Sequence, residues 1–422
     1  MKGYQRLTFV LVVLGALVLL FSQCIDNDAD KGYKLVASDS TKAGITACIN
    51  CHKNVYDNYL INPHQKTSSL IKGQHLLQAD SAISKEFSFD DHLKIAVEHR
   101  DSGAFQVAYF NNKEQFARKF DVAFGSGKDA ITFASWRGKQ LNQLQLTYFS
   151  RIKHWANSPG YRGNQFYFSR QIDARCLECH ASYAEQKVEG TGSLITSQEL
   201  LKNSIIYGID CERCHGPAAK HAEYQLKNPA EKTAKYITLY KSLTIKQKND
   251  ACAICHTGTD GKALKSTFAF KPGDKLEDFL EQDSKQNNDP DVHGKQMQLL
   301  ASSQCFIQSK TMDCNTCHSI HGSSTQTLAS YSNKCISCHE SVKHSQKTLA
   351  STTNIKSNCI DCHMPMKSSK AISFKLAGNF YSYLLKCEVF ILRSRYNFMI
   401  FRVFITFLYN FLMILNIING LI

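Results

Sequence analysis

Residues Cys211-Glu-Arg-Cys-His215 show the pattern on which this chain is built, because Cys-x-x-Cys-His occurs seven times in its 422 residues. Fourteen of its 17 cysteines belong to these copies, and Cys24, Cys305 and Cys387 lie outside them. Numbered motif one to motif seven, the copies are Cys48/Cys51/His52, Cys176/Cys179/His180, Cys211/Cys214/His215, Cys252/Cys255/His256, Cys314/Cys317/His318, Cys335/Cys338/His339 and Cys359/Cys362/His363.

Each position of the motif suits one chemical task. Two thiols separated by two residues reach the two vinyl groups of one porphyrin as thioethers, and the next histidine becomes the proximal iron ligand. Cysteine pairs alone would also suit zinc ribbons, thioredoxin-like redox sites or disulfides. A zinc site would leave seven adjacent histidines without a role, so the pattern predicts seven covalently bound c-type haems.

The first 45 residues are typical of export. Lys2 and Arg6 precede an apolar run over residues 7–21, which is shorter than a spanning helix and predicts a signal peptide over residues 1–23. Ser22-Gln23-Cys24 resembles a lipoprotein cleavage site with Cys24 as the acylated residue, although Gln23 departs from the usual small residue. An ordinary cleaved signal and an uncleaved anchor remain alternatives. Residues 24–45 are predicted to be a flexible tether, and the chain a periplasmic or outer-membrane lipoprotein.

The net charge of +14 would suggest a nucleic-acid or anionic-lipid partner for a bare chain. Seven haems would add about 14 negative charges through their propionates and cancel this excess. We therefore expect the basic residues to pair with propionates. The expected partners are redox proteins and, through a lipid anchor, a membrane, but no nucleic acid.

Motif spacing divides the chain into a first haem segment (46–84), a cysteine-free stretch (85–170) and a six-haem domain (171–373). Apolar residues alternate on both sides of the turn Asp101-Ser102-Gly103, which predicts a β-hairpin, and a similar pattern recurs over 130–148. The predicted fold class is a multihaem cytochrome: short helices and loops packed around haems, with a small antiparallel β unit inserted after the first motif. Haem insertion should then be coupled to folding.

The composition changes again over residues 374–422, which are rich in Phe, Ile, Leu, Tyr and Asn. The run over residues 403–415 is apolar enough to suggest a C-terminal membrane helix. The same composition is also typical of an AT-rich gene translated out of frame. Both interpretations remain open.

Several stretches resemble the multihaem cytochrome family related to the tetrahaem cytochrome of nitrifying bacteria, especially its Bacteroidetes-like lipoprotein form. The resemblance spans most of residues 46–373. The stretches that carry it are Trp155-Ala-Asn-Ser-Pro-Gly-Tyr161, Arg175-Cys-Leu-Glu-Cys-His180, Tyr207-Gly-Ile-Asp-Cys-Glu-Arg-Cys-His-Gly-Pro217, Asp291-Val-His293, Gln296-Met-Gln-Leu-Leu300, Ser303-Gln-Cys305, Cys314-Asn-Thr-Cys-His-Ser-Ile-His321 and Cys359-Ile-Asp-Cys-His-Met-Pro365.

The resemblance implies an electron carrier whose haems are mostly ligated by two histidines. It identifies five candidate distal ligands, which are His64, His221, His293, His321 and His344. Relatives carry a further histidine after the last motif, whereas no histidine follows His363 here. This departure leaves one sixth ligand unassigned.

Histidine counting leaves a second function open. Sixteen histidines minus seven proximal ligands leave nine, and His92, His99 and His154 lie in the β unit, where surface or packing roles are commoner. If His75 is excluded as well, five histidines remain for seven irons, so one or two irons could be open. An open iron would suit an oxidoreductase of small nitrogen or sulfur species. The Cys-x-x-Cys-Lys motif of ammonia-forming nitrite reductases is absent from the sequence.

We predict that Cys24→Ala releases the exported protein from the membrane fraction, because the acylated residue is lost. Cell fractionation with detection of covalent haem measures this. Cys305→Ala removes another cysteine outside the motifs and should stay membrane-bound. Retention of the Cys24 variant in the membrane would contradict the lipid anchor.

Overall fold

The computed structural model describes residues 41–71, 85–161, 165–189, 197–281, 290–291, 293–321, 327–346, 355–364, 366–376 and 379–386. The predictions made for the signal peptide, Cys24, His75, Cys387 and residues 403–415 lie outside these ranges. None of the helices in these ranges combines the length and the apolar character needed to span a bilayer.

The helices are short and most of them carry a motif. They are α1 (Ile45–Leu60), α2 (Ala174–His180), α3 (Cys211–His215), α4 (Ala219–Lys227), α5 (Ile245–His256), α6 (Gln296–Ala301), α7 (Gln304–Gln308), α8 (Leu328–Ile336) and α9 (Ile360–His363). Short 3-10 turns cover Lys202–Ser204, Tyr240–Ser242, Thr267–Ala269, Leu276–Asp278, Cys314–Thr316 and Ile355–Ser357.

The strands fall mainly between motifs one and three. They are β1 (Ser68–Leu70), β2 (Glu86–Ser88), β3 (Leu93–Arg100), β4 (Gly103–Phe110), β5 (Lys113–Lys119), β6 (Val122–Phe124), β7 (Ala130–Arg137), β8 (Gln140–Gln143), β9 (Leu146–Phe149), β10 (His154–Asn157), β11 (Arg170–Ile172), β12 (Ala181–Tyr183), β13 (Gln186–Glu189), β14 (Ser197–Leu200), β15 (Ile206–Tyr207), β16 (Met366–Leu376) and β17 (Asn379–Lys386).

Acidic side chains fix where several motif helices begin. Asp173 accepts a hydrogen bond from the Cys176 amide at 3.1 Å, and Asp210 accepts one from Arg213 N at 3.0 Å. Each satisfies an amide of the first turn that has no partner within the helix. Thr244 caps α5 through a reciprocal capping box with Gln247. The motifs therefore start as helical turns whose ends are specified locally.

The predicted β unit is present, but it is larger than the hairpins suggested. Strands β2–β5 form a four-stranded antiparallel sheet in chain order. A second sheet of seven strands contains β1 and β6–β11. Strand β1 lies before the predicted boundary at residue 85 and pairs with β6, with Ser68 opposite Phe124. The segment after motif one is thereby attached to the β unit.

Aromatic rings fill the core of this β unit. Phe120 and Phe133 stack with their ring centroids 4.5 Å apart, and Trp155 lies 5.5 Å from Phe133. All three side chains are buried. Such rings bury large apolar areas. This part of the chain has the ordinary hydrophobic core of a β protein, built without help from a haem.

The C-terminal part of the described chain is a hairpin of β16 and β17, in which Lys375 pairs with Phe380. Residues 374–376 and 379–386 are therefore strands, whereas the run over residues 403–415 that suggested a membrane helix lies outside the described residues. Phe and Tyr are frequent in this stretch and favour strands. Ile372 of β16 packs against the core of the β unit, so the chain returns to it after motif seven.

We predict that Gln106→Leu lowers the free energy of unfolding by roughly 2–4 kcal/mol. The buried Gln106 side chain donates to Leu146 O at 2.8 Å and accepts from Leu146 N at 2.9 Å, so it joins the two sheets. Leucine would leave both backbone groups unpaired. Denaturant unfolding followed by tryptophan fluorescence measures the change.

Gln115→Leu provides the control, because Gln115 is exposed on β5 and bonds only its own strand. Its effect should stay within about 0.5 kcal/mol. Equal losses in both variants would show that the Gln106 link does not join the sheets energetically.

Candidate haem-binding site

The structure brings the five candidate distal histidines next to proximal histidines of the motifs. Four pairs have their ring centroids close together: His52 and His221 at 6.5 Å, His64 and His256 at 6.1 Å, His215 and His321 at 5.8 Å, and His344 and His363 at 6.3 Å. His293 lies near enough to His180 to lower the pKa of that proximal histidine electrostatically.

This spacing suits two imidazoles that share one iron. A metal–nitrogen bond of about 2 Å, plus about 1 Å from nitrogen to ring centre, places two axial rings roughly 6 Å apart. The partners come from distant parts of the chain, as with His64 before the β unit and His256 at the end of α5.

Two of the histidines have their outer nitrogen fixed by a hydrogen bond. His221 Nδ1 lies 2.8 Å from Lys235 O, and His256 Nδ1 lies 3.2 Å from the Gln296 side-chain oxygen. Because both partners accept, Nδ1 carries the proton and Nε2 keeps its lone pair. Metal-binding histidines are usually oriented in this way.

The local environment also keeps several rings neutral, which is the form that binds iron. Burial, together with His256 and His318, lowers the pKa of His64 to about 4. Desolvation likewise lowers the pKa of His180 and of His215. His180 nevertheless retains accessible surface, as expected for a group that lines a concave space inside the protein.

The attachment cysteines of different motifs lie side by side. The thiols of Cys48 and Cys211, of Cys179 and Cys255, and of Cys252 and Cys314 lie close enough to shift each other's pKa. These thiols stand where thioether sulfurs would be in the haem-loaded chain. The pairs connect motif one with three, two with four, and four with five. Cys335 of motif six lies near Cys359 of motif seven and Cys317 of motif five.

Eight cysteines and histidines of the motifs are exposed in the described chain, namely Cys51, Cys176, Cys338, Cys362, His52, His180, His318 and His339. Three of them show the cause. Cys51 on α1 and Cys362 on α9 are the second cysteines of motifs one and seven, and both are exposed. His339, the proximal histidine of motif six, is also exposed, and its amide donates to Cys335 O at 3.0 Å. The physical reason is that α1 and α9 bury none of their described residues and that His339 follows the end of α8. Their roles in haem attachment and ligation therefore stay predictions.

The five candidate distal histidines lie beside motifs one, two, three, four and seven. His64 also lies near His318 of motif five, where it contributes to the lowered pKa of His64 after burial and His256. The ring of Tyr331 lies beside His318, with the centroids 6.0 Å apart.

Polar side chains inside the motifs hold neighbouring motifs together, and sequence reasoning missed them. Glu212, buried within motif three, accepts hydrogen bonds from three backbone amides: Ala43 at 2.8 Å, Gly44 at 3.1 Å and Ala218 at 2.9 Å. Two of these amides immediately precede α1 and motif one. The sequence feature that could have indicated this role is a charged residue between the two cysteines of a motif.

Glu178 also lies between the two cysteines of its motif, but it occupies the second position of motif two, whereas Glu212 occupies the first position of motif three. Glu178 is 1 % exposed, forms an ion pair with Arg175 at 2.8 Å and accepts from Ser266 Oγ at 2.7 Å. Arg213 of motif three donates to Glu178 O at 3.0 Å and to Thr267 O at 2.7 Å. Motifs two and three therefore share one polar network with the turn at Thr267–Ala269.

Similar links continue toward the C-terminus. The buried Asn249 side chain on α5 accepts from Cys314 N at 3.2 Å and donates to Met312 O at 3.3 Å, which joins motif four to motif five. Ser332 on α8 accepts from Cys359 N at 3.0 Å, which joins motif six to motif seven.

The backbone just before motif three packs closely against the backbone that follows motif one. Gly208 has a positive φ of 74°, and a Cβ there would lie 2.3 Å from Gln65 O. Only glycine allows this approach without displacing the backbone. Next to it, Ile209 N donates to His64 O at 2.9 Å. The residues before motif three thus help to place His64.

The residues of the motif regions are more consistent with covalently bound haem than with a fold stabilised by protein contacts alone. Helices α1, α4, α7 and α9 bury none of their described residues. None of the 15 cysteines in the described ranges forms a disulfide. No group of three or more His, Cys, Asp or Glu side chains in the searched part of the chain could hold a metal ion. Thioether bonds and axial histidines give these residues a use, and porphyrins would cover the exposed helix faces.

The remaining candidates lie away from the paired rings. His92 Nδ1 lies 2.7 Å from the Asn111 side-chain oxygen, and His99 is exposed on β3. His154 begins β10 opposite Phe149. Cys305 is half-buried on α7, a helix that buries none of its residues. Cys305 lies near Cys338 of motif six.

Comparison with known proteins agrees with these features. Residues 139–216, which include motifs two and three, match the family model described as "Cytochrome c554 and c-prime". The solved structure "Crystal Structure of Outer Cell Wall Cytochrome OcwA" is similar over 79% of this chain and 78% of that chain, with a TM-score of 0.47 and 14% identity. No match was found among curated protein sequences. The family match over residues 139–216 and the repeated motif are features of multihaem c-type cytochromes, a class that receives its haems outside the cytoplasm.

We predict that Glu212→Ala lowers the free energy of unfolding of the haem-loaded protein by roughly 3–5 kcal/mol, because it leaves three amides without their acceptor. Denaturant unfolding followed by haem absorbance measures this loss. Glu223→Ala removes an exposed carboxylate paired with Lys227 on α4 and should change stability by less than about 1 kcal/mol. A Glu212 variant as stable as the Glu223 variant would show that motif three does not hold the start of α1.

Proposed function

We propose that this chain carries electrons outside the cytoplasm through seven covalently bound haems, most of them ligated by two histidines. The observation that carries this proposal is the set of four histidine pairs whose rings lie 5.8–6.5 Å apart. Each pair joins a motif histidine to one outside the motifs. An iron with two protein ligands exchanges electrons without binding a substrate.

The ring pairs suggest one distal ligand for each of five motifs. His221 would serve motif one, His293 motif two, His321 motif three, His64 motif four and His344 motif seven. The hydrogen bonds from His221 and His256 to carbonyl oxygens support Nε2 as the ligating atom in both. Two histidine ligands favour a low reduction potential, whereas a methionine ligand would raise it.

The cysteine contacts support an electron path that differs from the order of the motifs in the sequence. The path would run from motif one to three, four, five, six and seven, and motif two would branch from motif four. Neighbouring attachment cysteines lie in contact or near one another along this route. Close macrocycles allow electrons to pass between them without any protein group reacting.

The residues of the chain would hold, orient and shield the haems, which supply the redox chemistry. Glu212, Glu178, Asn249 and Ser332 fix one motif against the next. The β unit gives the first three motifs a rigid support. No proton transfer or nucleophile is needed for this function.

Acylation of Cys24 would keep the carrier at a membrane, where redox proteins could donate and accept electrons. The alternative, an oxidoreductase of small nitrogen or sulfur species, requires an iron whose sixth position can be exchanged. The four histidine pairs favour the carrier.

Electron paramagnetic resonance of the oxidised, fully loaded protein tests ligation directly. We expect seven haems per chain and mainly low-spin iron, because two imidazoles give a strong ligand field. His221→Ala should convert the iron of motif one to high spin without loss of haem. His99→Ala, on the exposed side of β3, should leave the spectrum unchanged.

Haem content well below seven per chain, or a His221 variant with the unchanged spectrum, would contradict the proposed ligation. Voltammetry of the wild-type protein with added nitrite, hydroxylamine or sulfite separates the two functions. Reversible waves that these compounds do not alter are expected for a carrier. A catalytic current together with a high-spin signal in the wild type would instead establish the enzyme.

A further inference from the structure

The histidine pairs differ in the angle between their two ring planes. His52 and His221 are inclined by 20°, and His215 and His321 by 16°. His344 and His363 are inclined by 61°, and His64 and His256 by 88°, so the rings of the last pair are crossed. Motif four therefore has a different axial geometry from motifs one and three.

Ring orientation changes the electronic state of a low-spin ferric haem. The π orbital of each imidazole raises the iron d orbital that lies perpendicular to its ring. Two parallel imidazole rings raise the energy of the same iron d orbital, so the two π-type d orbitals differ in energy, which stabilises the ferric state. Two crossed rings raise both d orbitals, which then stay nearly equal in energy. The ferric signal is therefore strongly anisotropic, and the ferric state is less favoured.

Contacts with other residues position the His64 backbone and the His256 ring. The His64 backbone donates to Asn62 Oδ1 at 2.9 Å and accepts from Thr67 Oγ1 at 3.0 Å. Asn62 in turn donates to Ile320 O at 2.8 Å. On the opposite side, the His256 ring donates from Nδ1 to the Gln296 oxygen at 3.2 Å. These contacts come from separate segments, so the two histidines are positioned independently of each other.

Gln296 itself sits on a fixed element. Helix α6 is anchored by Leu299, which is buried, and by Met297, which packs against the core formed by Ala253 and Ile254 of α5. A planar amide on a fixed helix restrains rotation of the imidazole to which it bonds. Gln296 therefore controls the plane of the proximal ring.

Motif four also lies at the junction of the other motifs. Its Cys255 contacts Cys179 of motif two, its Cys252 contacts Cys314 of motif five, and Cys214 of motif three lies near both. An electron passing between these motifs would have to cross motif four. The reduction potential of the motif-four haem would therefore govern electron transfer through the whole chain.

From these observations we infer that the haem of motif four is electronically distinct, with crossed imidazoles, a strongly anisotropic ferric signal and a higher potential than the haems of motifs one and three. We further infer that Gln296 is the positioning residue that maintains the crossed geometry. This inference rests on the proposed ligation of motif four by His64 and His256.

Paramagnetic resonance of the haem-loaded wild type, His64→Ala and His321→Ala locates the signal. His64→Ala should remove one haem equivalent of the strongly anisotropic low-spin signal and produce high-spin iron. His321→Ala opens the iron of motif three and should remove one equivalent of a rhombic signal instead. In a redox titration of the wild type, the signal lost in His64→Ala should disappear at a higher potential than the one lost in His321→Ala.

Gln296 variants test the positioning role. Gln296→Leu should keep the haem content and low-spin iron but shift the motif-four signal toward a rhombic shape, because the ring can then turn. Gln296→Glu should keep the anisotropic signal and lower its potential, since a carboxylate makes the imidazole a stronger donor. Gln298→Leu is the matched control on α6, because Gln298 bonds the Thr257 carbonyl and no histidine, and it should change neither property.

The outcomes distinguish this inference from the function on which it rests. If His64→Ala produces high-spin iron but removes a rhombic signal, the crossed geometry is wrong and the ligation stands. If His64→Ala leaves all low-spin signals intact, the proposed ligation of motif four itself fails. An unchanged anisotropic signal in Gln296→Leu overturns the role of Gln296 alone.

Discussion

One recurring contact runs through the structure, in which a motif histidine faces a histidine from another segment at a spacing that would suit two ligands of one iron. Four ring pairs show it at 5.8–6.5 Å. Because the partners are remote in sequence, each pair fixes a long-range contact that the short helices could not create by packing. The turns, capping residues and buried carboxylates around the motifs serve to keep these distances.

This contact separates two ways of folding within one chain. The β unit buries Phe120, Phe133 and Trp155 and has a core of its own. Helix α1 and its neighbours in the motif regions bury little, so most of their stabilisation must come from the haems. Strand β1 and strand β16 connect the two parts, since both pack on the β unit from motif-bearing segments. The β unit can thus act as a template against which haem-bearing turns are placed.

The sequence was sufficient for the motifs because their chemistry is local: five residues determine one attachment site. It was also sufficient for the first hairpin, where alternation over β3 and β4 meets a turn at Gly103. It could not give the seven-stranded sheet, because β1 has three residues and pairs across more than 50 positions with β6. The strands over residues 374–386 were missed because aromatic and aliphatic residues suit either a membrane helix or a hairpin.

The distal histidines were suggested by resemblance, but which motif each one faces depends on the three-dimensional path. His64 is nearest in sequence to motif one, yet it faces His256 of motif four, and His221 returns to motif one. The roles of Glu212 and Glu178 were hidden for a similar reason, since a carboxylate between two motif cysteines gains its meaning only from the amides it meets.

The paired histidines come from segments that belong to different motifs, and this arrangement links the sites physically. If each distal ligand came from the segment beside its own motif, every haem site would be an independent unit, and loss of one would spare the rest. Here Asn62 and His64, four residues or fewer beyond α1, bond Ile320 and face His256. Motifs one, four and five therefore share one structural segment. Such interlocking limits relative motion between the sites, and a fixed spacing between macrocycles is what electron transfer through a chain of haems requires.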